Sequence, residues 1–419
     1  MKNNNDTKYK KNSRNTKKSV EKQDYKPTAK EYKNVGEYKS TTKEYKNLGE
    51  YGPNAGQQLT YKEHVASKQK RLQEALEGIV VPEAMVIMDK PDHYRNRVHR
   101  LFHHDRSGTP ISGYFSPEEG RVVPIEDCYI DDRKCQEIIH TIQGMLKSFK
   151  IKTHDTRTGH GLLRYVAVRR GLESKEIMVV LVLSSVIMPS KNNFVKALRK
   201  VHPDINTILI SENYKDMDKI YGDKEINLYG KGFISDTMSG KSFRINAKSS
   251  FTTNPIQMAK MCKKLLEWGA FTGDEFVLDA YCGVATFGMI MANHVRKVYG
   301  VETSHDAYRD AISNIRKNEI KNMDMYKNSP AELLMQVTQA GKIIDDVVVT
   351  QPYNGCGVEF IHALVNAKPM KILFVSRNMK HLRLEIEQLV KKGYKVKKAV
   401  GIDVQPWTER IDACVLLER

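Results

Sequence analysis

From Asn246 to the C-terminus the chain alternates short apolar runs with amphipathic stretches, and this alternation limits the possible folds more than any other feature. MAKMCKKLLEWGAF has helical spacing, EFVLDAYCG runs as a strand into a glycine turn, and ATFGMIMANHV returns to helix. KVYGVE is a second strand and HDAYRDAISNIRKNEI a second helix. DDVVVTQPYNG, KILFVSRN and DACVLLER are further strands, with HLRLEIEQLVKKGY as a helix between them. Strand–helix alternation at this spacing predicts an α/β fold with a doubly wound, mostly parallel sheet. Such sheets bind ligands beyond the carboxyl ends of their strands.

In LDAYCGVATFG the strand residues end at Asp279, the chain turns at Gly283, and a helix opens near Thr286. Backbone amides at such a helix start meet a polar ligand. Glu302 closes the next strand, 23 residues after Asp279, where a carboxylate takes the two ribose hydroxyls of an adenosine cofactor. The tight part of the loop holds a single glycine, so GxGxxG is not satisfied and a pyrophosphate dinucleotide is disfavoured. An adenosine cofactor without phosphate, S-adenosylmethionine, fits better; an unliganded α/β domain is the alternative.

Upstream, YKEHVASKQKRLQEALEGI reads as a charged helix. The strand-like runs AMVIMD, GRVVPIE, RYVAVRRG and IMVVLVLSS follow it, the pattern of a second, α+β domain over residues 58–245. Arg95 and Arg97 in HYRNRVHR and Arg164 and Arg169 in LLRYVAVRRG put planar, phosphate-matching guanidinium groups beside strand pattern, which predicts a nucleic-acid face. Ordinary exposed arginines are the plainer alternative. Residues 1–57 hold 14 Lys/Arg against 7 Asp/Glu and almost no branched aliphatics, a composition that predicts a disordered basic tail. KEYKNVGEY at 30–38 returns as KEYKNLGEY at 43–51. Lysine interleaved with tyrosine suits a single-stranded nucleic acid, and solubility is an equally good use for it.

Across the whole chain, 68 Lys/Arg against 50 Asp/Glu give a net charge of +18, favouring a polyanionic partner. No run approaches the ~20 apolar residues of a membrane span. The start MKNNNDTKYKK lacks an apolar signal region, which predicts a cytoplasmic protein. The six cysteines are too scattered for a disulfide scaffold or a zinc site, so reduced thiols and no metal are expected.

DAYCGVATFG, KVYGVE, TQPYNGCG, FVSRNMKHLRLEIEQLVKKGY and DVQPWTERIDACVLLER, in this order and spacing, resemble the bacterial S-adenosylmethionine-dependent RNA (uracil-5-)-methyltransferases acting on ribosomal or transfer RNA. HYRNRVH, GLLRYVAVRRG, IMVVLV and INAKSSFTTNP extend the similarity over about residues 58–419. The resemblance implies a Rossmann-like methyltransferase domain over 246–419, a central RNA-contacting domain, S-adenosylmethionine as cofactor, RNA as partner and a monomer. In the family an N-terminal oligonucleotide-binding barrel is usual; the basic tail stands in its place.

The family's chemistry adds a cysteine thiolate to C6 of uracil, methylates C5 and removes the C5 proton with a base. Three of the positions that carry it differ here. The nucleophilic cysteine corresponds to Arg377 in Ser376-Arg377-Asn378-Met379, and an arginine cannot attack. The aspartate of the family's Asp-Pro-Pro-Arg loop corresponds to Gln351, and the glutamate base to Asp412. On the cofactor side, Tyr281, Gly283, Thr286 and Glu302 match, whereas Thr252 replaces a glutamine and Ala285 a glycine. Of the iron–sulfur cysteines many relatives carry, only Cys128 has a counterpart, so no cluster is expected. Two alternatives follow from these departures: methylation of another position such as an exocyclic amine, since Gln351-Pro352-Tyr353 resembles an Asn-Pro-Pro-Tyr-type loop, and an RNA-binding pseudoenzyme.

Overall fold

A computed structural model describes residues 60–116, 120–155, 158–214 and 219–419; the basic tail and its repeat lie outside the described residues. The chain enters through helix α1 (Tyr61–Ala75), started by a capping box in which the Thr60 hydroxyl accepts from the Glu63 amide and Glu63 accepts from the Thr60 amide. Strand β1 (Glu83–Val86) follows. The next elements are β2 (Arg97–His104), β3 (Pro110–Ser116), β4 (Arg121–Pro124), α2 (Arg133–Met145), β5 (Leu163–Arg170), β6 (Ile177–Leu183), α3 (Lys191–Val201), β7 (Ile205–Glu212) and β8 (Lys224–Tyr229).

Strands β2 to β8 build a seven-stranded sheet in the order β4-β3-β2-β5-β6-β7-β8. Only β6 and β7 pair in parallel, because α3 carries the chain back between them. The run IMVVLVL is buried along its whole length as β6, at the centre of the sheet with α2 and α3 packed on one face. A hairpin of β9 (Ile234–Met238) and β10 (Lys241–Ile245) leads out of this unit.

The remainder is the expected α/β alternation: α4 (Pro255–Gly269), β11 (Phe276–Ala280), α5 (Thr286–Met291), β12 (Lys297–Val301), α6 (His305–Lys317), β13 (Met323–Tyr326), α7 (Pro330–Gln339), β14 (Asp346–Thr350), α8 (Val358–Ala367), β15 (Lys371–Ser376), α9 (Met379–Lys391), β16 (Lys395–Ile402) and β17 (Asp412–Glu418). These strands form an eight-stranded sheet ordered β1-β16-β17-β15-β14-β11-β12-β13. Strands β11 to β15 are parallel, and β17 runs antiparallel between β15 and β16. The order reverses between β11 and β14, which opens a crevice at their carboxyl ends.

The division at residue 245 needs one correction. Strand β1 pairs with β16, Glu83 opposite Val400 and Val86 opposite Ile402, so α1 and β1 belong with the Rossmann sheet although they precede the other unit in sequence. The charged helix α1 buries His64, Lys68 and Leu72. Lys68 Nζ lies 2.7 Å from Asp403 Oδ1 with both side chains at most 1% exposed, and the Tyr61 hydroxyl donates to Asp403 Oδ2 at 2.7 Å. The two sheets also share one apolar core, in which Tyr165, Met178 and Val180 pack with Phe251, Met261 and Val277.

Candidate cofactor and catalytic site

Five segments meet at the carboxyl edge of the parallel strands. The loop after β11 is the tightest: Tyr281, Gly283 and Ala285 all have positive φ, at 58°, 58° and 67°. Gly283 tolerates this without strain. At Ala285, which caps α5 and is fully buried, a left-handed residue with a β-carbon costs roughly 1–2 kcal/mol. Glu302 ties the loop to the end of β12: one oxygen accepts from Gly283 N at 2.9 Å, the other from Ser304 N at 2.7 Å. Oε1 also accepts from the Thr303 hydroxyl at 3.5 Å, and a carboxylate has about four acceptor sites in all.

Opposite this loop stands the segment 249–253. A β-carbon placed on Gly283 would come 3.3 Å from Ser250 Oγ, tighter than an ordinary contact, so the two segments lie close together at this point. Thr252, half-buried in the same segment, accepts from Asn254 N through its hydroxyl at 3.1 Å. The Tyr281 hydroxyl donates to the Cys356 carbonyl at 3.1 Å, and its ring meets Phe360 edge-on. Thr286 begins α5, half-buried. Of the residues expected to hold an adenosine cofactor, Tyr281 and Gly283 lie in the loop after β11, Thr286 at the start of α5, Glu302 just beyond β12 and Thr252 in the segment 249–253.

Gln351 differs from that group. It is buried, its Nε2 donates to Glu385 Oε2 at 2.6 Å, and its Oε1 accepts from the Ser376 hydroxyl. Glu385 also accepts from Cys356 N at 2.6 Å. The Gln351 amide therefore locks the Pro352-Tyr353-Asn354 loop onto α9 instead of facing a cofactor or a base. Glu385 was missed in the sequence although a signal existed: in HLRLEIEQLV a carboxylate falls on the apolar stripe of Leu382, Ile386 and Leu389.

Arg377 and Asp412 are adjacent, one at the end of β15 and the other at the start of β17, with Nε 3.9 Å from Oδ1. Arg377 is half exposed and Asp412 is 4% exposed. Asp412 Oδ2 has no hydrogen-bond partner among the described residues, and burial, opposed by the charges of Arg377, Arg410 and Lys68, pushes the carboxyl up to about 6. Cys356, Cys282 and Cys414 are all pushed up by burial, as are Cys128, Cys135 and Cys262, and a protonated thiol is a poor nucleophile.

The four arginines expected on an RNA face require a correction. Arg164, Arg169 and Arg95 are 2%, 2% and 6% exposed. Arg164 donates to the Asn213 carbonyl and side chain, and Arg169 to the carbonyls of Ser249, Phe251 and Thr252. Arg95 faces Asp131 and Gln405. Half-buried Arg97 donates to the Ser249 carbonyl at 3.2 Å. A cation on a strand gave no sign of which way it pointed; these four brace loops, and Arg169 and Arg97 hold the segment that faces Gly283.

A reversed final hairpin on a doubly wound sheet, with a carboxylate-tied glycine loop after its central strand, defines a Rossmann-like methyltransferase. The model of the tRNA (uracil-5-)-methyltransferase family matches residues 60–419, and the chain belongs to that family. RNA methyltransferases of uncharacterised specificity from Halalkalibacterium halodurans and Enterococcus faecalis are 30% and 31% identical over 367 and 365 residues, covering 86% and 87% of this chain and 80% and 79% of theirs. The crystal structure of Pyrococcus abyssi tRNA (uracil-54, C5)-methyltransferase in complex with S-adenosyl-L-homocysteine aligns with a TM-score of 0.71 at 25% identity, over 86% of this chain and 84% of that one.

Proposed function

We propose that this protein is an S-adenosylmethionine-dependent RNA methyltransferase that modifies ribosomal or transfer RNA without forming a thiolate adduct to the base. The observation that carries this reading is Arg377 beside Asp412, at the position where the resemblance puts the thiolate of the family's route to C5 of uracil, and burial pushes all six thiols up. When bound, S-adenosylmethionine supplies an electrophilic methyl group. Glu302, held by Gly283 N and Ser304 N, takes the two ribose hydroxyls. Gly283 and Tyr281 lie in the loop after β11 that Glu302 holds, and Thr286 opens α5 beyond it, with Thr252 and Ser250 in the segment that approaches it. An RNA nitrogen that accepts a methyl group must shed a proton, and Asp412, raised to about 6, is suited to receive it near neutral pH. Arg377 offers an exposed guanidinium to RNA phosphate. The unit built on the seven-stranded sheet contacts RNA, and the Rossmann unit, including α1 and β1, carries the cofactor; the protein works as a cytoplasmic monomer.

A second reading, RNA binding without turnover, is favoured by Gln351, whose amide is occupied by Ser376 and Glu385 and so presents nothing to an exocyclic amine. Methyl-labelled S-adenosylmethionine incubated with the protein and unmodified tRNA or rRNA, followed by nucleoside digestion, separates the two. Label in a nucleoside other than 5-methyluridine is expected. Absence of label with calorimetric binding of S-adenosylmethionine intact would favour the second reading, and absence of binding would overturn the first.

A further inference from the structure

Asp412 is one of two buried carboxyls where β16 meets β17. It stands opposite Ile402 in the ladder, and the residue after Ile402 is Asp403. Asp403 is 0% exposed and Asp412 4%. What reaches them differs. Asp403 accepts from Lys68 Nζ at 2.7 Å on one oxygen and from the Tyr61 hydroxyl at 2.7 Å on the other. Its backbone is fixed too: the amide donates to the Val86 carbonyl and the carbonyl accepts from Gln257 Nε2. Asp412 has the half-exposed Arg377 3.9 Å from Oδ1 and no hydrogen-bond partner on Oδ2 among the described residues. Two neighbouring carboxyls are thus given different surroundings, which divides the roles of such a pair in proton transfer.

Both side-chain donors to Asp403 come from α1, which precedes the seven-stranded unit in sequence. Lys68 is 1% exposed and also donates to the Gln405 carbonyl at 2.9 Å. The Tyr61 hydroxyl oxygen accepts from Met88 N at 3.1 Å while it donates to Asp403. A buried ammonium acts on more than its own partner, because little solvent screens it. Burial raises the proton affinity of Asp412 most; Arg377, Arg410 and Lys68 lower it, and Asp403 raises it. Glu409 also faces Lys68. His64, on the same face of α1, is pushed down by burial and by Lys68, so it carries no charge near neutral pH. The charge that α1 brings to Asp412 is therefore that of Lys68, set against Asp403.

We infer that Lys68 is a positioning residue for methyl transfer: by engaging Asp403 it leaves Asp412 as the carboxyl that takes up the proton RNA sheds. The proton leaves the RNA atom that receives the methyl group, joins Asp412 Oδ2 and passes to solvent before the next turnover. The assignment rests on the methyltransferase reading above and brings Lys68, 335 positions upstream of Asp403, into the site. A pair serving only to tie α1 to β16 would affect stability and leave the titration of Asp412 where it is.

The test follows the Asp412 carboxyl carbon by NMR through a pH titration of the full chain, isotopically labelled at aspartate, with Asp412→Asn identifying the resonance. The pH profile of methyl transfer to an unmodified tRNA transcript is measured beside it. Asp403→Asn keeps an oxygen for Lys68 Nζ but removes the opposing charge, and is expected to lower the midpoint of Asp412 by roughly one pH unit. Lys68→Met is expected to raise it by a similar amount. The double variant Lys68→Met/Asp403→Asn leaves neither charge of the pair behind, so it keeps the fold where Lys68→Met does not, and is expected to return the midpoint close to the wild-type value. The acidic limb of the transfer profile is expected to move with the midpoint in each variant. A midpoint that Asp403→Asn leaves at the wild-type value, whatever its effect on thermal stability, would overturn the inference. So would a limb that stays fixed while the midpoint moves, since Asp412 would then not be the group that takes up the proton. A wild type that binds S-adenosylmethionine yet transfers no methyl group would overturn the inference together with the reading on which it rests.

Discussion

At the scale of single residues, the site combines relics of a demanding chemistry with local adjustments. Ala285 holds a left-handed backbone suited to glycine, so Ala285→Gly is expected to raise stability by about 0.5–1 kcal/mol in denaturant unfolding, the relief of strain being partly offset by a more flexible unfolded chain. Gln351 is matched to Glu385. Gln351→Asp would set two carboxylates against each other in a buried pocket and is expected to cost about 2–4 kcal/mol, whereas adding Glu385→Gln should return most of it; equal losses in single and double variants would contradict the pairing. Restoring the family's aspartate at this position therefore requires a change on α9 as well.

Asp279 gives a pH dependence of definite sign. Burial pushes its carboxyl up to about 7, against the opposing hydrogen bond from Gly288 N. A group raised in the folded state stabilises the fold at low pH, and that contribution disappears as pH rises through the folded value. Asp310, Asp346 and Asp412, raised to about 6, act in the same direction. His64, His99, His154 and His202, pushed down by burial, act in the opposite direction, so the test is differential: Asp279→Asn is expected to shift Tm at pH 8 upward relative to Tm at pH 5, compared with the wild type. An unchanged gap would mean that Asp279 is not the buried acid responsible.

At the scale of elements, most of the Rossmann half was legible because periodicity reports burial: EFVLDA, KVYGV, DVVVT and KILFVS are short apolar runs and became β11, β12, β14 and β15. What the sequence did not disclose was docking at long range. Lys68 and Asp403 are separated by 335 positions, and nothing local distinguishes a buried lysine from a solvated one on a charged helix. Breaking such a pair leaves one buried charge uncompensated, so Lys68→Ala is expected to cost about 3–5 kcal/mol and to loosen α1 and β1 from β16. Hydrogen exchange of residues 61–86 would reveal the loosening, and unchanged protection would show that apolar packing of Leu72 and Leu76 suffices. The arginines of β2 and β5 illustrate the same limit. Their charge was read correctly but their direction was not, since the backbone carbonyl that takes Arg169 and Arg97, that of Ser249, lies 80 and 152 residues further along the chain.

At the scale of the whole molecule, a +18 chain shares the fold of the uracil-5 methyltransferase family with a buried carboxyl, Asp412, beside a strand end, and in the reading proposed above Arg377 stands where the family's route needs a thiolate. The central claim is that the thiolate route is closed, and covalent trapping tests it most directly. Fluorine at C5 of uracil cannot leave as a cation, so an enzyme that attacks C6 with a thiolate and methylates C5 is stranded as a protein–RNA adduct. The protein would be incubated with S-adenosylmethionine and a tRNA transcript carrying 5-fluorouridine in place of uridine, then run on a denaturing gel. No slower-migrating adduct is expected. An adduct that survives denaturation and disappears when one cysteine is replaced by alanine would contradict the account and identify the thiol that stands in for position 377.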